Sequence, residues 1–233
     1  MSTVAAGTEE VDLAAVGLRE LNTRLHALAL APGPSRWRIL NPGGEHAIAA
    51  ALDADVEIDI DGHVGYYCAG MNKRATVRVH GMCGVGVAEN MMSGSVLVEG
   101  NASAAAGATG RGGLLVIRGD AAGRCGISMK GIDIVVGGSV GHMSAFMAQK
   151  GRLVVCGDAG DGLGDSLYEA RLYVRGEVAG LGADCIEKEM RPEHAAELRE
   201  LLERAGMEPL DGFRRYGSAR TLYHFHKDNA GSY

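Results

Sequence analysis

The stretch from Val96 to Gly100, Val-Leu-Val-Glu-Gly, returns 19 residues later as Leu-Val-Ile-Arg-Gly from Leu115 to Gly119. The same short pattern occurs seven times, and its closing glycine recurs at an unbroken spacing of 19 residues. All fourteen positions that lie two and four residues before these glycines hold Ile, Leu or Val. The seven repeat glycines are Gly62, Gly81, Gly100, Gly119, Gly138, Gly157 and Gly176.

A fixed period of about 20 residues with one alternating strand and one turn glycine is typical of a solenoid, whose repeats bury their apolar faces against each other. A left-handed helix of hexapeptide repeats would need an aliphatic residue at every sixth position. The eighth position after the glycine instead holds Glu89, Asp165 and Asp184 in three of the coils. The sequence therefore predicts an all-β solenoid, a right-handed parallel β-helix of about seven 19-residue coils. Each repeat glycine should supply either a positive φ or a close approach between backbones.

Helical caps are expected at both ends, because an open solenoid exposes strand edges and core. Residues 1–55 are interpreted as a capping segment with a helix around residues 9–30 and a short strand at residues 37–40. Residues 56–188 are predicted to form the β-helix. Residues 189–233 should hold a helix that begins at Pro192, followed by an extended tail. The apolar stripes of the two helices are Ala14, Leu18, Leu21, Leu25 and Leu28, and Leu198, Leu201, Leu202 and Ala205.

Composition excludes several classes of partner. The formal net charge of −6 argues against nucleic acid and against an anionic membrane surface. The sequence has no apolar run of 18 residues, and its start lacks the basic and then apolar order of a signal peptide. We therefore expect a cytoplasmic protein.

The residues give no acceptable active site, so no catalytic, cofactor-binding or metal-ligating residue is predicted in this chain. Neither a GxGxxG fingerprint nor a phosphate-binding loop is present. The five cysteines occupy no shared column in adjacent coils and form no CxxC, which predicts buried, unreactive thiols. His224 and His226 lack a third ligand. A group of outer carboxylates is interpreted as a solvated corner rather than an acid/base site: Asp158, Asp161, Asp165 and Asp184.

The segment from Phe213 to His226 is rich in basic and aromatic residues, although the chain as a whole is acidic. Such side chains are common at binding hot spots. We interpret the segment as a docking strap, either for a neighbouring protein or for the coil face of its own chain. The candidate partner-binding residues are Phe213, Arg214, Arg215, Tyr216, Tyr223 and Phe225.

The run Gly-Asp-Gly-Leu-Gly at residues 160–164 resembles the GXGXG β-helix domain that ends the large subunit of glutamate synthase. Three longer stretches, 62–72, 88–94 and 164–170, are similar to a stand-alone version of that domain. This version is the small glutamate-synthase-related, C-terminal-domain-like subunit of bacterial N-methylglutamate synthase. The likeness runs from about residue 9 to residue 228. A similar coil is also found in formylmethanofuran dehydrogenase, within one of its subunits.

The resemblance implies a non-catalytic bridging subunit of a cytoplasmic hetero-oligomer. Its expected partners are a class II glutamine amidotransferase-like subunit and an FMN-dependent glutamate-synthase-like subunit that also carries iron-sulfur clusters. The whole complex would make N-methylglutamate from methylamine and glutamate, as a methylamine–glutamate N-methyltransferase in methylamine metabolism. Two alternatives stay open: a carbohydrate-active β-helix enzyme, and a scaffold subunit of a complex of the formylmethanofuran dehydrogenase type.

Overall fold

The computed structural model describes residues 7–31, 33 and 35–222. Tyr223, Phe225 and the two histidines at 224 and 226 lie outside the described residues, so their predicted roles stay predictions.

The described chain is built on one eleven-stranded sheet. Strands β1 to β9 pair in chain order and all run parallel, whereas β11 lies antiparallel between β9 and β10. The strands are β1 (Thr8–Asp12), β2 (Arg36–Leu40), β3 (Glu57–Asp61), β4 (Thr76–Val79), β5 (Ser95–Val98), β6 (Leu114–Ile117), β7 (Lys130–Val136), β8 (Lys150–Val155), β9 (Arg171–Val174), β10 (Cys185–Lys188) and β11 (Arg214–Ser218).

The 19-residue period is the register of this sheet. From β3 to β9 paired residues lie 19 positions apart, as Ile58 and Val77 do, except that Lys130 at the start of β7 pairs with Lys150 before a register shift. All fourteen repeat aliphatics are buried in one continuous core. A second column of single-residue parallel bridges begins with Val64 and Cys83, two residues after the repeat glycine. The predicted parallel β-helix of about seven coils is confirmed.

The N-terminal segment is not the single helix that was expected over residues 9–30. It begins as strand β1, which is followed by the short helix α1 (Leu13–Val16) and by helix α2 (Leu18–Ala27). Gly17, at φ +78°, separates the helices, and Asp12 caps α1 by accepting the N–H of Ala14 at 3.0 Å. In this stretch the alternating burial of β1 and its pairing with β2 override the helix propensity of the residues.

Two parts of the N-terminal prediction are confirmed. Leu21 and Leu25 of the apolar stripe are fully buried on α2, where they cover the core at this end. Strand β2 lies where a strand was expected. It extends the solenoid by one strand before residue 56, and Trp37 and Ile39 face inward.

The C-terminal helix α3 (Pro192–Arg204) has the expected bounds, and its leucines at 198, 201 and 202 are buried. The helix was expected to cap the end of the solenoid, but it lies on the outer face of the sheet. There it packs on Val135, Val154 and Tyr173 in a second apolar cluster. At this end the inner core instead continues to Tyr216 of β11 and to Cys185 of β10.

All five cysteines are free and buried, which confirms the interpretation of buried thiols. Burial raises the pKa of the thiols of Cys68, Cys125 and Cys185 to about 12, so little reactive thiolate forms near neutral pH. Among the described residues, no helix combines the length and the apolar character needed to cross a membrane.

The inward and outward positions of a strand can be tested with neighbouring residues. Val98 is completely buried with coils on both sides, so Val98→Asp should cost several kcal/mol and give largely insoluble protein. The Glu99 side chain is 42% exposed, and Glu99→Gln should cost less than about 1 kcal/mol. Thermal unfolding of the two variants checks this, and equal melting temperatures would contradict the assignment.

Candidate partner-binding surfaces

The repeat glycines are the places where successive coils touch backbone to backbone. From Gly100 onward each donates its N–H to the carbonyl of the preceding repeat glycine, at 2.8–3.1 Å. A Cβ on Gly176 would lie 2.5 Å from the carbonyl oxygen of Gly157, closer than real Cβ contacts. Of the seven, only Gly62, at φ +141°, has the positive φ that was the other expected role. Close approach is therefore the main reason for glycine in this column.

The residues directly after the repeat glycines form a corner ladder that the sequence analysis missed. A side-chain nitrogen or oxygen of each member accepts the backbone N–H of the residue 19 positions further on, at 2.7–2.9 Å. The same oxygens fill the space that a Cβ on the next repeat glycine would need. The signal in the sequence that could have revealed the ladder was the run of short polar residues directly after the repeat glycines. The accepting residues are His63, Asn101, Asp120, Ser139 and Asp158.

A different side of the coil, which we name the left-handed face, has positive φ at every second residue. It comprises residues 67–71, 86–90, 105–109, 124–128, 143–147 and 162–166, and the first, third and fifth residue of each segment has φ between 52° and 73°. The third residue donates its N–H to the preceding coil, as Ala88 does to Cys68. The fifth residue donates to the next coil, as Asn90 does to Ala108. These bonds between coils offset the cost of the backbone conformation.

The geometry explains the GXGXG run. Gly160 lies where a Cβ would meet the backbone of His142 at 2.7 Å, and Gly162 and Gly164 supply φ of +73° and +65° on the left-handed face. The motif therefore serves the backbone of the coil.

Bulky aromatic or apolar side chains lie at two places on this face. Tyr67 and Met71 in the first coil are about half exposed, and Met147, four coils later, is 39% exposed. All three have positive φ, as has the partly exposed Met143. Next to them, Tyr66 stacks on His46 with ring centroids 4.4 Å apart and meets Tyr67 edge to face. In the coils between, these positions hold short side chains such as Gly86 and Ala105, apart from the polar Arg124, which is exposed at φ +63°.

An ion network fixes α3 on the outer face of the sheet. Asp133, which is buried, accepts the Nε–H of Arg152 at 2.7 Å, and this bond raises the pKa of Arg152. Glu197 on the helix accepts the hydroxyl of Tyr173 at 2.6 Å. Burial, with Glu197 beside it, raises the pKa of Tyr173. These groups hold the helix in place.

The outer carboxylates act in corners, as predicted. Asp158 belongs to the corner ladder, and Asp165 accepts the N–H of Ala183 at 3.1 Å. Burial opposes ionisation of Asp184, but hydrogen bonds from Ser218 and Thr221 dominate and lower its pKa to about 2. Within the described part of the chain, no group of three or more His, Cys, Asp or Glu side chains converges in a way that could hold a metal ion.

Five residues of the strap, Arg214–Ser218, form strand β11 of the sheet. Tyr216 is 2% exposed in the core, so its predicted role in binding a partner is wrong, because the ring is not accessible. Phe213 packs on the cluster beneath α3, and the Arg214 Nη2 donates to the carbonyl of Gly176 at 2.7 Å. Of the two alternatives, the strap docks on its own coil as far as residue 218. Arg215, half-buried on the outer face, keeps part of its surface free.

The chain is 63% identical over 225 residues to Protein GlxC of Rhizobium meliloti (strain 1021). The match covers 96% of this chain and 99% of that relative. The chain belongs to the GlxC family. No protein-family model matches it.

The covering of the outer face by α3 distinguishes the two halves of this GlxC-family chain. The outward position three residues before the repeat glycine is charged in the first two coils, at Asp59 and Arg78. It becomes apolar from Leu97 to Tyr173, where α3 covers it. This change from charged to apolar residues was the signal in the sequence that could have located the helix. The uncovered half presents polar pairs such as His80 Nε2 with the Asp59 carboxylate at 2.8 Å.

Truncation tests the place of the strap in this family member. Removing residues 213–233 deletes β11, so β9 and β10 lose their pairing and the core loses Tyr216. We expect a large fall in melting temperature and in β-signal by circular dichroism. The matched truncation of residues 223–233 retains every described strand and should unfold close to the full chain. A folded 1–212 chain with unchanged melting temperature would contradict the structural role of β11.

The corner ladder predicts a difference between two substitutions at one exposed residue. Asp120→Asn keeps an oxygen that can accept the N–H of Ser139, whereas Asp120→Ala removes it. We expect the alanine variant to lose about 1 kcal/mol of unfolding free energy, and the asparagine variant to stay close to wild type. Denaturant unfolding measures both, and equal losses would exclude the ladder bond as the cause.

Proposed function

We propose that this chain is a non-catalytic structural subunit of a glutamate-synthase-like hetero-oligomer, most closely N-methylglutamate synthase. In this role it holds a class II glutamine amidotransferase-like subunit and an FMN- and iron-sulfur-containing synthase-like subunit together. Membership of the GlxC family and the similarity of three long sequence stretches to the stand-alone glutamate-synthase-related subunit support the proposal.

The observation that carries the proposal is the exposed, conformationally costly part of the left-handed face. A left-handed backbone costs about 1–2 kcal/mol for a residue with a side chain, and exposed tyrosine or methionine gains nothing from the core. Tyr67, Met71, Met143 and Met147 nevertheless combine positive φ with partly or largely exposed side chains. In the second coil the same two positions as Tyr67 and Met71 hold Gly86 and Asn90, residue types that tolerate this conformation. A partner that buries the bulky side chains explains why they are there.

Rigidity of the surface suits a bridging role. The face is fixed by hydrogen bonds in both directions along the solenoid, so it loses little conformational freedom when a partner binds. Its two bulky groups lie four coils apart, roughly 19 Å at about 4.8 Å per coil. That separation gives a partner two apolar anchors on one side of the chain.

The alternative of a carbohydrate-active enzyme receives no support from the carboxylates. Asp158, Asp165 and Asp184 accept hydrogen bonds from backbone or side chains of the neighbouring turns. An acid/base pair would need carboxyl groups directed toward a substrate cleft. These groups instead stabilise corners.

The test replaces bulky residues by those that the second coil carries in the same columns. Tyr67→Gly copies Gly86 and Met71→Asn copies Asn90, so both changes should relax the backbone and keep or raise the melting temperature. Co-expression with the two partner subunits should yield a three-subunit complex that converts methylamine and glutamate into N-methylglutamate. The double variant should lose at least one partner, with capture reduced about tenfold or more.

The matched control is Ser128→Asn, which changes the same column in a coil between the two bulky groups. It should capture both partners as the wild type does. Full capture by the double variant would show that this face binds neither partner. Failure of the wild-type chain to join either partner, or turnover by the chain alone, would overturn the proposed function itself.

A further inference from the structure

A basic pocket lies where β10 and β11 meet the first turn of α3, at the C-terminal end of the solenoid. Its volume is about 410 Å³. Five cationic side chains line it, together with a single carboxylate, in a chain whose formal net charge is −6. The five cations are Arg171, Lys188, Arg191, Arg215 and Arg220, and the carboxylate is that of Glu169.

Two of these cations lie directly opposite each other in the sheet. Lys188 of β10 and Arg215 of β11 are cross-strand partners in the antiparallel ladder. Like charges in such a pair destabilise a sheet, by a few tenths of a kcal/mol or more. Among residues 7–31, 33 and 35–222, Lys188 forms no salt bridge that would offset this cost. Folding alone therefore gives no reason for the pair.

The surrounding contacts compensate Arg191 and Arg215 weakly, whereas Arg171 pairs with the poorly exposed Glu197 at 2.5 Å. Arg215 donates its Nε–H to the backbone carbonyl of Glu189 at 2.9 Å, which fixes its guanidinium without neutralising it. Burial and the neighbouring Arg171 and Arg191 lower the pKa of Arg215. The carboxylate that pairs with Arg191 belongs to Glu189, which is 74% exposed. Exposed pairs of this kind contribute little and are easily exchanged for a ligand.

His194 adds a polar group on the helix side of the pocket. Its Nδ1 accepts the backbone N–H of Arg191 at 3.3 Å, so the ring is neutral in this arrangement. Burial, followed by the nearby Arg215, lowers the pKa of His194. The Nε2–H of this tautomer is a further hydrogen-bond donor.

We infer that this pocket binds a small polyanion that carries at least two carboxylate or phosphate groups. Arginine forks match the oxygens of both groups, and lysine adds a mobile point charge. The volume falls in the range of small-ligand sites, so a compact molecule fits better than an extended acidic peptide. Binding relieves the repulsion between Lys188 and Arg215. The site is independent of the left-handed face, and its occupation does not require the proposed complex.

Titration calorimetry on the full chain, at constant ionic strength, tests the pocket with pyrophosphate and citrate as separate probes. We expect one site per chain for at least one probe, and the two titrations distinguish phosphate from carboxylate ligands. Lys188→Gln and Arg215→Gln should each weaken binding about tenfold, the loss of one charged hydrogen bond. Lys188→Gln should also raise the melting temperature of the unliganded chain, and the anion should raise it less than in wild type.

The matched control is Lys130→Gln on β7. Lys130 is exposed and faces Lys150 across the sheet, so it has the same like-charge environment outside the pocket. Its substitution should leave anion affinity unchanged. The inference is wrong if neither probe binds the wild type, or if Lys130→Gln weakens binding as much as Lys188→Gln does. Capture of a polyglutamate peptide with no binding of either small probe would assign the pocket to an acidic protein segment and overturn the inference as well.

Discussion

The contact on which this molecule depends is the stacking of one glycine backbone on the next, every 19 residues. With hydrogen bonds of 2.8–3.1 Å between successive repeat glycines from Gly81 onward, no side chain fits at this corner. The coils therefore have to be identical in length from β3 to β9, since one extra residue would move every inward aliphatic to the outside. The corner ladder strengthens the same contact, because oxygens such as Asp120 Oδ1 bond to the next coil in the space that the missing Cβ leaves.

The left-handed face shows how the remaining part of each coil closes within the same length. Alternating positive φ turns successive N–H groups toward opposite neighbours, so the segment bonds to the coils on both sides. Glycine does this at low cost, which accounts for Gly107 and Gly164 in the central column, whereas the buried Ala88 carries the cost of its Cβ. The conformation is required by the solenoid. The bulky side chains at Tyr67 and Met71 are not, and this separates what serves folding from what we propose serves binding.

The sequence predicted those features that are visible as a regular pattern of residue types. The inward aliphatics, the strand register and the buried leucines of α3 follow from alternation, period and helical spacing, and the structure confirms them. Other features depend on contacts between distant parts of the chain. Strand β11 was missed because Arg214–Ser218 has no strand pattern of its own and becomes a strand only between β9 and β10. The positive φ of Met71 or Met147 was equally hidden, since methionine has no preference for that conformation.

A solenoid of equal coils offers the same surface at every level, so any specific site must come from residues that break the repeat. Three breaks are visible. Bulky residues replace small ones on the left-handed face, α3 covers the apolar half of the outer sheet face, and β11 reverses the strand direction at the end. The third break brings Lys188 and Arg215 together, which no parallel continuation of the coils would do. Because the parallel repeat requires neither the bulky left-handed residues nor the Lys188–Arg215 pair, the energetic costs at these breaks are the basis of both proposed binding surfaces.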